Sequence, residues 1–336
     1  YSPQSEIWAY LKACVEQGGL ASHIYFNRKL RRASYSEQDA RWRLECGDGQ
    51  RYECQVLISA MGGLSRPAMP SIPGLERFCG PAFHSSNWRH DVDLAGKTVG
   101  VIGTGASAIQ FVPQIAPQAK KLVLFQRTPP WILPRRDRAI GQGWKRMYGR
   151  FPLIQKLVRG LTYLRLESRA LGLSRYPSLL RIMEKRARRH IAVSIGDKTL
   201  REQVTPRFRL GCKRVLLSDD YYPALARSNV HLETASIASV QEQGVKLDNG
   251  EFVALDVLVY GTGFQATSPV PAGLIFGRKS QDLTQAWRCG PEAYLGTTVA
   301  GFPNMFMLMG PNTGLGHNST VYMIESQISY VLGCLA

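Results

Sequence analysis

From Lys97 to Arg127 the chain reads KTVGVIGTGASAIQFVPQIAPQAKKLVLFQR. Thr98 to Ile102 is a short apolar, β-branched run, the pattern of a buried parallel strand. Gly103, Gly105 and Ala108 follow in the spacing G-x-G-x-x-A. The first glycine permits a tight turn and the second lets the backbone approach a pyrophosphate. The third small residue lets the next helix sit against the strand. Ala106 to Ile115 continues as that helix, and its free N–H groups and positive dipole end point at phosphates. Leu122 to Phe125 is a second strand, so strand, turn, helix and strand are all present, which a bare glycine pattern lacks. An accidental glycine turn is the plainer alternative.

The end of the second strand separates two nucleotides. A site for NAD wants an acid there for the ribose hydroxyls, whereas this chain has Gln126-Arg127-Thr128, a cation and a hydroxyl suited to a 2′-phosphate. The cofactor expected here is NADP. Arg127 as an ordinary solvated charge is the alternative. Thr104, Ala106, Ser107 and Gln110 complete the expected binding stretch.

The 336 residues suit two domains with sizeable cores. Seven cysteines (Cys14, Cys46, Cys54, Cys79, Cys212, Cys289 and Cys334) are scattered without a C-x-x-C pair or a Cys/His cluster of metal-ligand spacing. That argues for a reducing compartment, the cytoplasm, and for no metal site. No apolar run reaches the length of a membrane span. Residues 135–214 hold 22 Lys and Arg against 5 Asp and Glu, a surplus of 17 that equals the net charge of the whole chain. A local excess calls for a local explanation.

Residues 5–17 read as an amphipathic helix closed by Gly18-Gly19. His23–Asn27, Ala40–Leu44 and Arg51–Val56 read as short strands of an antiparallel excursion turning at Gly47-Asp48-Gly49. Gln55–Ala60 is an apolar strand running into Met61-Gly62-Gly63. Residues 143–189 are helical and basic. Phe151, Ile154, Leu157, Val158, Leu161 and Leu164 share a face there, with Arg150, Lys156, Arg159 and Arg165 largely off it. Three readings stay open for this segment: a solvated insert, an electrostatic attractor for NADPH, or a peripheral membrane surface. Nucleic acid is not expected, because no recognition motif accompanies the charge. Residues 230–240 and 244–253 read as strands turning at Asn249-Gly250, and Asp256–Tyr260 as an apolar strand ending in Gly261-Thr262-Gly263.

Phe78-Cys-Gly80-Pro-Ala-Phe-His84-Ser-Ser-Asn-Trp88 has the spacing F-x-G-x-x-x-H-x-x-x-W. It resembles the fingerprint of the Baeyer–Villiger monooxygenases, flavoproteins that insert oxygen beside a ketone. The family usually has Pro or Asp next, where this chain has Arg89. The related N- and S-oxygenating flavin monooxygenases have Phe or Tyr where Trp88 stands. Gln126 to Trp131 (QRTPPW) and Gly211-Cys-Lys213-Arg214 followed by Asp220-Tyr-Tyr222 are similar to two further family stretches. The resemblance implies that Lys213 meets the NADP 2′-phosphate and that Arg214 is the catalytic arginine. A permanently charged guanidinium suits the stabilisation of an anionic flavin. The plain alternative makes both residues the end of the basic segment. For His84 the plain alternative is a loop or core histidine, and the resemblance gives it a linker role.

Thr262 and Gly263, like Met61 and Gly62, are similar to the crossings beside the flavin in two-dinucleotide flavoproteins. Gly301 to Ser319, with Asn312 and Thr313, resembles a C-terminal flavin-binding segment. The implied fold is α/β: an NADP-binding doubly wound domain (91–264, with the basic helical insert 135–214) placed within a discontinuous FAD domain (1–90 and 265–336). The implied activity is FAD- and NADPH-dependent monooxygenation with dioxygen. A flavin peroxide would convert a small apolar ketone to an ester or lactone. N- or S-oxygenation and a non-catalytic nucleotide-binding chain are the alternatives. Only one strand–turn–helix unit of the dinucleotide kind is legible. The chain is therefore expected to be a fragment without the flavin's own G-x-G-x-x-G, and to bind FAD poorly alone.

Overall fold

A computed structural model describes residues 2–266, 270–314, 316 and 319–336, less the side chains of Leu171, Leu173, Ser174 and Pro177. Its chain folds into two compact units. One comprises Tyr1–Gly63, Asp137–Val158 and Thr267–Ala336, the other Leu64–Arg136 and Arg159–Ala266.

The chain opens with helix α1 (Gln4–Gln17), then strands β1 (Leu30–Ser36), β2 (Arg41–Cys46), β3 (Arg51–Cys54) and β4 (Leu57–Ser59). Next come β5 (Ala82–His84), β6 (Thr98–Ile102), α2 (Ala108–Ile115), β7 (Lys121–Phe125) and β8 (Ile132–Leu133). The basic segment supplies α3 (Gln142–Arg150), α4 (Pro152–Ser174), α5 (Leu180–Ser194) and α6 (Lys198–Val204). Then follow β9 (Leu216–Leu217), α7 (Tyr221–Leu225), β10 (Val230–Glu233), β11 (Ile237–Gln241), β12 (Gly244–Leu247), β13 (Phe252–Ala254) and β14 (Val257–Tyr260). The chain closes with β15 (Ile275–Phe276), α8 (Leu283–Ala286), β16 (Met305–Met307) and α9 (Thr320–Leu335).

In the unit holding Leu64–Arg136, five parallel strands form a sheet in the order β10-β7-β6-β14-β5. Their residues are apolar on both faces, as a strand covered on both sides requires. From β6 the chain steps through α2 to β7 and on to β10, then returns to the other side of β6 as β14. The strand order therefore reverses between β6 and β14, where open α/β sheets hold their ligands. Val99, Val101, Val112, Leu122, Leu124 and Val259 make the core under α2 and α7. A three-stranded antiparallel sheet, β11-β12-β13, covers a second cluster with Phe78, Ile102, Val123 and Tyr260.

In the other unit, sheet β15-β1-β2-β3 and the pair β16-β4 enclose Ala33, Trp42, Leu283, Trp287, Met305 and Met307. The fully buried Trp42 donates its indole N–H to the Pro303 carbonyl at 2.9 Å.

Two strand expectations fail. His23–Asn27 is not a strand: Leu20–His23 is a 3-10 turn, and Tyr25 and Phe26 are exposed. The strand lies further on, at β1, where Ala33 and Tyr35 pack inward on the buried cluster. Arg31-Arg32 interrupts the alternation that would have marked it. The run 230–240 divides between two sheets, because residues 234–236 lie in neither β10 nor β11.

Candidate functional site

At their carboxyl ends the parallel strands stand abreast: His84 pairs with Tyr260, Tyr260 with Ile102, Ile102 with Phe125 and Phe125 with Glu233. The Gly103 turn opens at this edge. Its N–H donates to the Phe125 carbonyl at 3.1 Å, its φ is +107°, and a Cβ there would stand 2.5 Å from the Gly261 carbonyl oxygen. Glycine is thus required by sign of φ and by space. Gly261 in turn donates to the Ile102 carbonyl at 2.8 Å, so the ends of β6 and β14 touch. Ala108, fully buried, fills the position where helix meets strand.

Gly105 is a different case. A Cβ built on it meets nothing within 4 Å, and its φ is not in the left-handed region. The protein's own atoms make no demand for glycine there. The open side offers a ligand close approach to the backbone, at the start of α2, whose first N–H groups lack partners within the helix. Ala106, Ser107 and Gln110 belong to the same turn: Gln110 donates from its N–H to the Ser107 carbonyl at 3.0 Å and from its side chain to Ala106 at 2.7 Å. The buried Thr104 donates its hydroxyl to the Thr128 carbonyl at 3.3 Å, tying the turn to the end of β7. These residues fit a dinucleotide phosphate cradle.

The bare spacing G-x-G-x-x-A recurs at Gly261, Gly263 and Ala266, but among the described residues no helix follows it. Phe264 bridges to Pro67, Gly263 accepts the Ala68 N–H at 2.9 Å, and Thr262 donates its hydroxyl to the Ala68 carbonyl at 2.6 Å. Thr262 and Gly263 therefore sit beside the Gly103 turn, held by the 66–68 segment.

Arg127 is exposed, as are Lys213 and Arg214. Among the described residues none of the three side chains forms a hydrogen bond or ion pair, and none contacts the Gly103 turn in that way. Lys213 lies over the Phe208 ring at 5.0 Å. The segment around it is fixed: Trp131 donates to the Phe208 carbonyl at 2.8 Å, Glu184 accepts the Leu210 N–H at 2.9 Å, and Leu216 donates to the Trp131 carbonyl at 2.9 Å. The structure so places two cations without acid partners among the described residues on an anchored segment, without bringing them to the turn.

The fingerprint residues pack. Phe78 is buried in the second cluster, and a Cβ on Gly80 would stand 2.4 Å from the Asp256 carbonyl oxygen. Trp88 wedges between Phe83 and Phe111 at ring distances of 5.2 and 5.3 Å. Arg89 binds both carboxylate oxygens of Asp91, and that bonding holds the Asp91 carboxyl down to about 2. His84 is buried at the strand edge. Its Nδ1 accepts the Ser86 N–H at 3.1 Å, which puts the proton of the neutral ring on Nε2, and Nε2 is buried without a partner.

In the other unit, β4 leads to Met61 and Gly62, and the parallel strand β16 leads to Asn312 and Thr313. Gly62 (φ +65°) has nothing within 4 Å of a Cβ, and Asn312 has φ +62°. Thr313, buried, donates to the Gly310 carbonyl at 2.7 Å. Leu315, His317 and Asn318 of this glycine-rich stretch lie outside the described residues.

Sequence reasoning passed over Gln327. It is buried on α9, accepts the Met309 N–H at 2.8 Å and donates to the Gly296 carbonyl at 3.1 Å, bracing the turn after β16. A lone glutamine in an apolar helix was the signal available. The Asp220-Tyr-Tyr222 stretch also has a structural part: Tyr221 and Tyr222 are buried in the core and burial pushes both phenols up. Among the described residues no group of three or more His, Cys, Asp or Glu is placed to hold a metal, and no helix is long and apolar enough to cross a membrane.

A family model described as "Flavin-binding monooxygenase-like" matches residues 1–273. A Baeyer-Villiger monooxygenase of Pseudomonas aeruginosa is 51% identical over 335 residues, which is 100% of this chain and 64% of that protein. This chain thus spans less than two thirds of the relative's length. The OTEMO complex with FAD and NADP is similar in structure, with a TM-score of 0.86 at 29% identity, over 99% of this chain and 70% of that one. An ε-caprolactone-bound cyclohexanone monooxygenase superposes with a TM-score of 0.85 at 26% identity, over 100% of this chain and 72% of that one. With a parallel sheet that reverses at a glycine turn, and with these matches, the chain belongs to the flavin-binding monooxygenase-like family.

Proposed function

We propose that this chain is the NADPH-binding part of an FAD-dependent Baeyer–Villiger monooxygenase, with residues 91–264 as its nucleotide domain. The observation that carries the reading is the Gly103 turn at the β6–β14 switch point, with glycine required by the fold at 103 and by nothing in the protein at 105. Gly105, Ala106 and the start of α2 hold the pyrophosphate. Thr104 and Thr128 set the width of the turn through their hydrogen bond. Arg127 meets the 2′-phosphate, because it stands at the end of the second strand with its charge uncommitted, and Lys213 adds a second free cation. Arg214 is assigned the electrostatic role at the redox centre, where a guanidinium keeps its charge without titrating.

Flavin, when bound, supplies the oxygen-activating chemistry. Of the residues assigned to it, Met61, Gly62, Asn312 and Thr313 offer open backbone and a braced turn. No second phosphate turn leading into a helix is found among the described residues. The support for ketones as substrates is the 51% identity to a Baeyer-Villiger monooxygenase and the likeness to a caprolactone-bound enzyme. Trp88 at the fingerprint's end favours that branch over N- or S-oxygenation.

The test is product analysis. The chain, joined to the remainder of its protein, is supplied with FAD, NADPH and air, and a cyclic ketone and a thioether are offered together. Lactone as the main product is expected. Sulfoxide alone would move the assignment to the N- and S-oxygenating branch. Bound NADPH with no oxygen consumption would make the chain a nucleotide-binding protein without catalysis.

A further inference from the structure

Helix α4 carries a face that neither core nor nucleotide site uses. Leu153, Leu157, Leu161 and Leu164 recur at intervals of four, four and three, which places them in one stripe along three turns of helix. They are 77%, 63%, 58% and 62% exposed. Tyr163, Leu166 and Ala170, on the opposite face, are partly buried, as are Ile154 and Glu167 at the two margins, while the four leucines face outward. Large apolar side chains scattered singly need no explanation, but a continuous stripe does. Lys156 flanks it on one side and Arg165 on the other, both exposed. The preceding α3 adds exposed Trp144 with Lys145, Arg146 and Arg150, and Phe151 at its end is 54% exposed.

We propose that α4 is an interfacial helix that lays its leucine stripe on an anionic lipid surface. The charge supports this occupant. The segment 135–214 holds the chain's whole surplus of 17 positive charges, while the remainder is balanced at 20 against 20. A second copy would bring two such surpluses face to face, and the balanced remainder of the same chain offers no net acid surface to match. An anionic bilayer supplies apolar depth for the leucines and phosphates for Lys156, Arg165 and their neighbours, and Trp144 suits the boundary between them. This inference stands independently of the redox reading.

The experiment is co-sedimentation of the full chain with vesicles of phosphatidylcholine alone, and with vesicles in which part is replaced by phosphatidylglycerol. Pelleting is expected only with the anionic vesicles and should fall as salt rises. Leu157→Gln with Leu161→Gln should weaken partition by about tenfold or more. Lys156→Glu with Arg165→Glu should weaken it similarly. Both pairs are exposed, so the melting temperature should hold. Absence of binding to anionic vesicles, or binding that both double variants leave unchanged, would overturn the proposal. So would a concentration-dependent dimer, seen without lipid and abolished by the glutamine pair, in a chain that ignores vesicles.

Discussion

Gly103 and Gly105 stand two residues apart and answer to different demands. At 103 a side chain meets the Gly261 carbonyl and a φ of +107°. Gly103→Ala should therefore destabilise the protein by more than about 2 kcal/mol, read from denaturant unfolding. At 105 a side chain meets open space, so Gly105→Ala should leave stability within about 0.5 kcal/mol. The same substitution should weaken NADPH binding by about tenfold or more, because the methyl group occupies the phosphate's approach. Equal loss of stability in both variants would remove the distinction. The motif was legible in the sequence, but the distinction was not. It depends on Gly261, which comes 158 positions after Gly103 in the chain and meets it only through the pairing of β6 with β14. His84 shows the same limit. Its spacing marked it, while its orphaned Nε2 arises from the Ser86 N–H and the packing around it.

At the scale of elements, α8 rests on one buried carboxylate. Asp282 caps the helix by accepting the Thr284 N–H at 2.7 Å, and it also accepts the Gly273 N–H at 2.6 Å. Burial by itself would raise its pKa, but the bonds from Thr284 and Gly273 outweigh that and hold it below the ordinary value. A depressed folded-state pKa means that the contribution is present above the ordinary carboxylate range near 4 and fades as pH falls below it. Asp282→Ala should cost about 2 kcal/mol at neutral pH and less in acid, measured by urea unfolding across that range. An unchanged difference at low pH would contradict the account. Elements with a local signal were readable: α2 from its glycine turn, and β6 and β7 from apolar runs. β1 was not, because its inward residues are small or aromatic and two arginines break its period. Its position is set by pairing with β2 and β15.

For the whole molecule, the sequence located the doubly wound sheet through its first strand–turn–helix, and the strand order supplied the reversal that makes the turn a binding edge. The sequence set Arg127 at the end of the second strand, and the family resemblance gave Lys213 to the NADP 2′-phosphate and Arg214 to the flavin. The structure leaves all three exposed and, among the described residues, without acid partners. Such uncommitted charges are what the proposed binding of an anionic nucleotide requires. The most direct measurement is the affinity of the chain for NADPH and for NADH at matched ionic strength, in the unaltered protein and in Arg127→Ala. NADPH should bind at least about tenfold more tightly, and the substitution should erase most of that preference while leaving NADH binding nearly unchanged. Equal affinities in the unaltered protein, or a preference that survives loss of Arg127, would contradict the assignment.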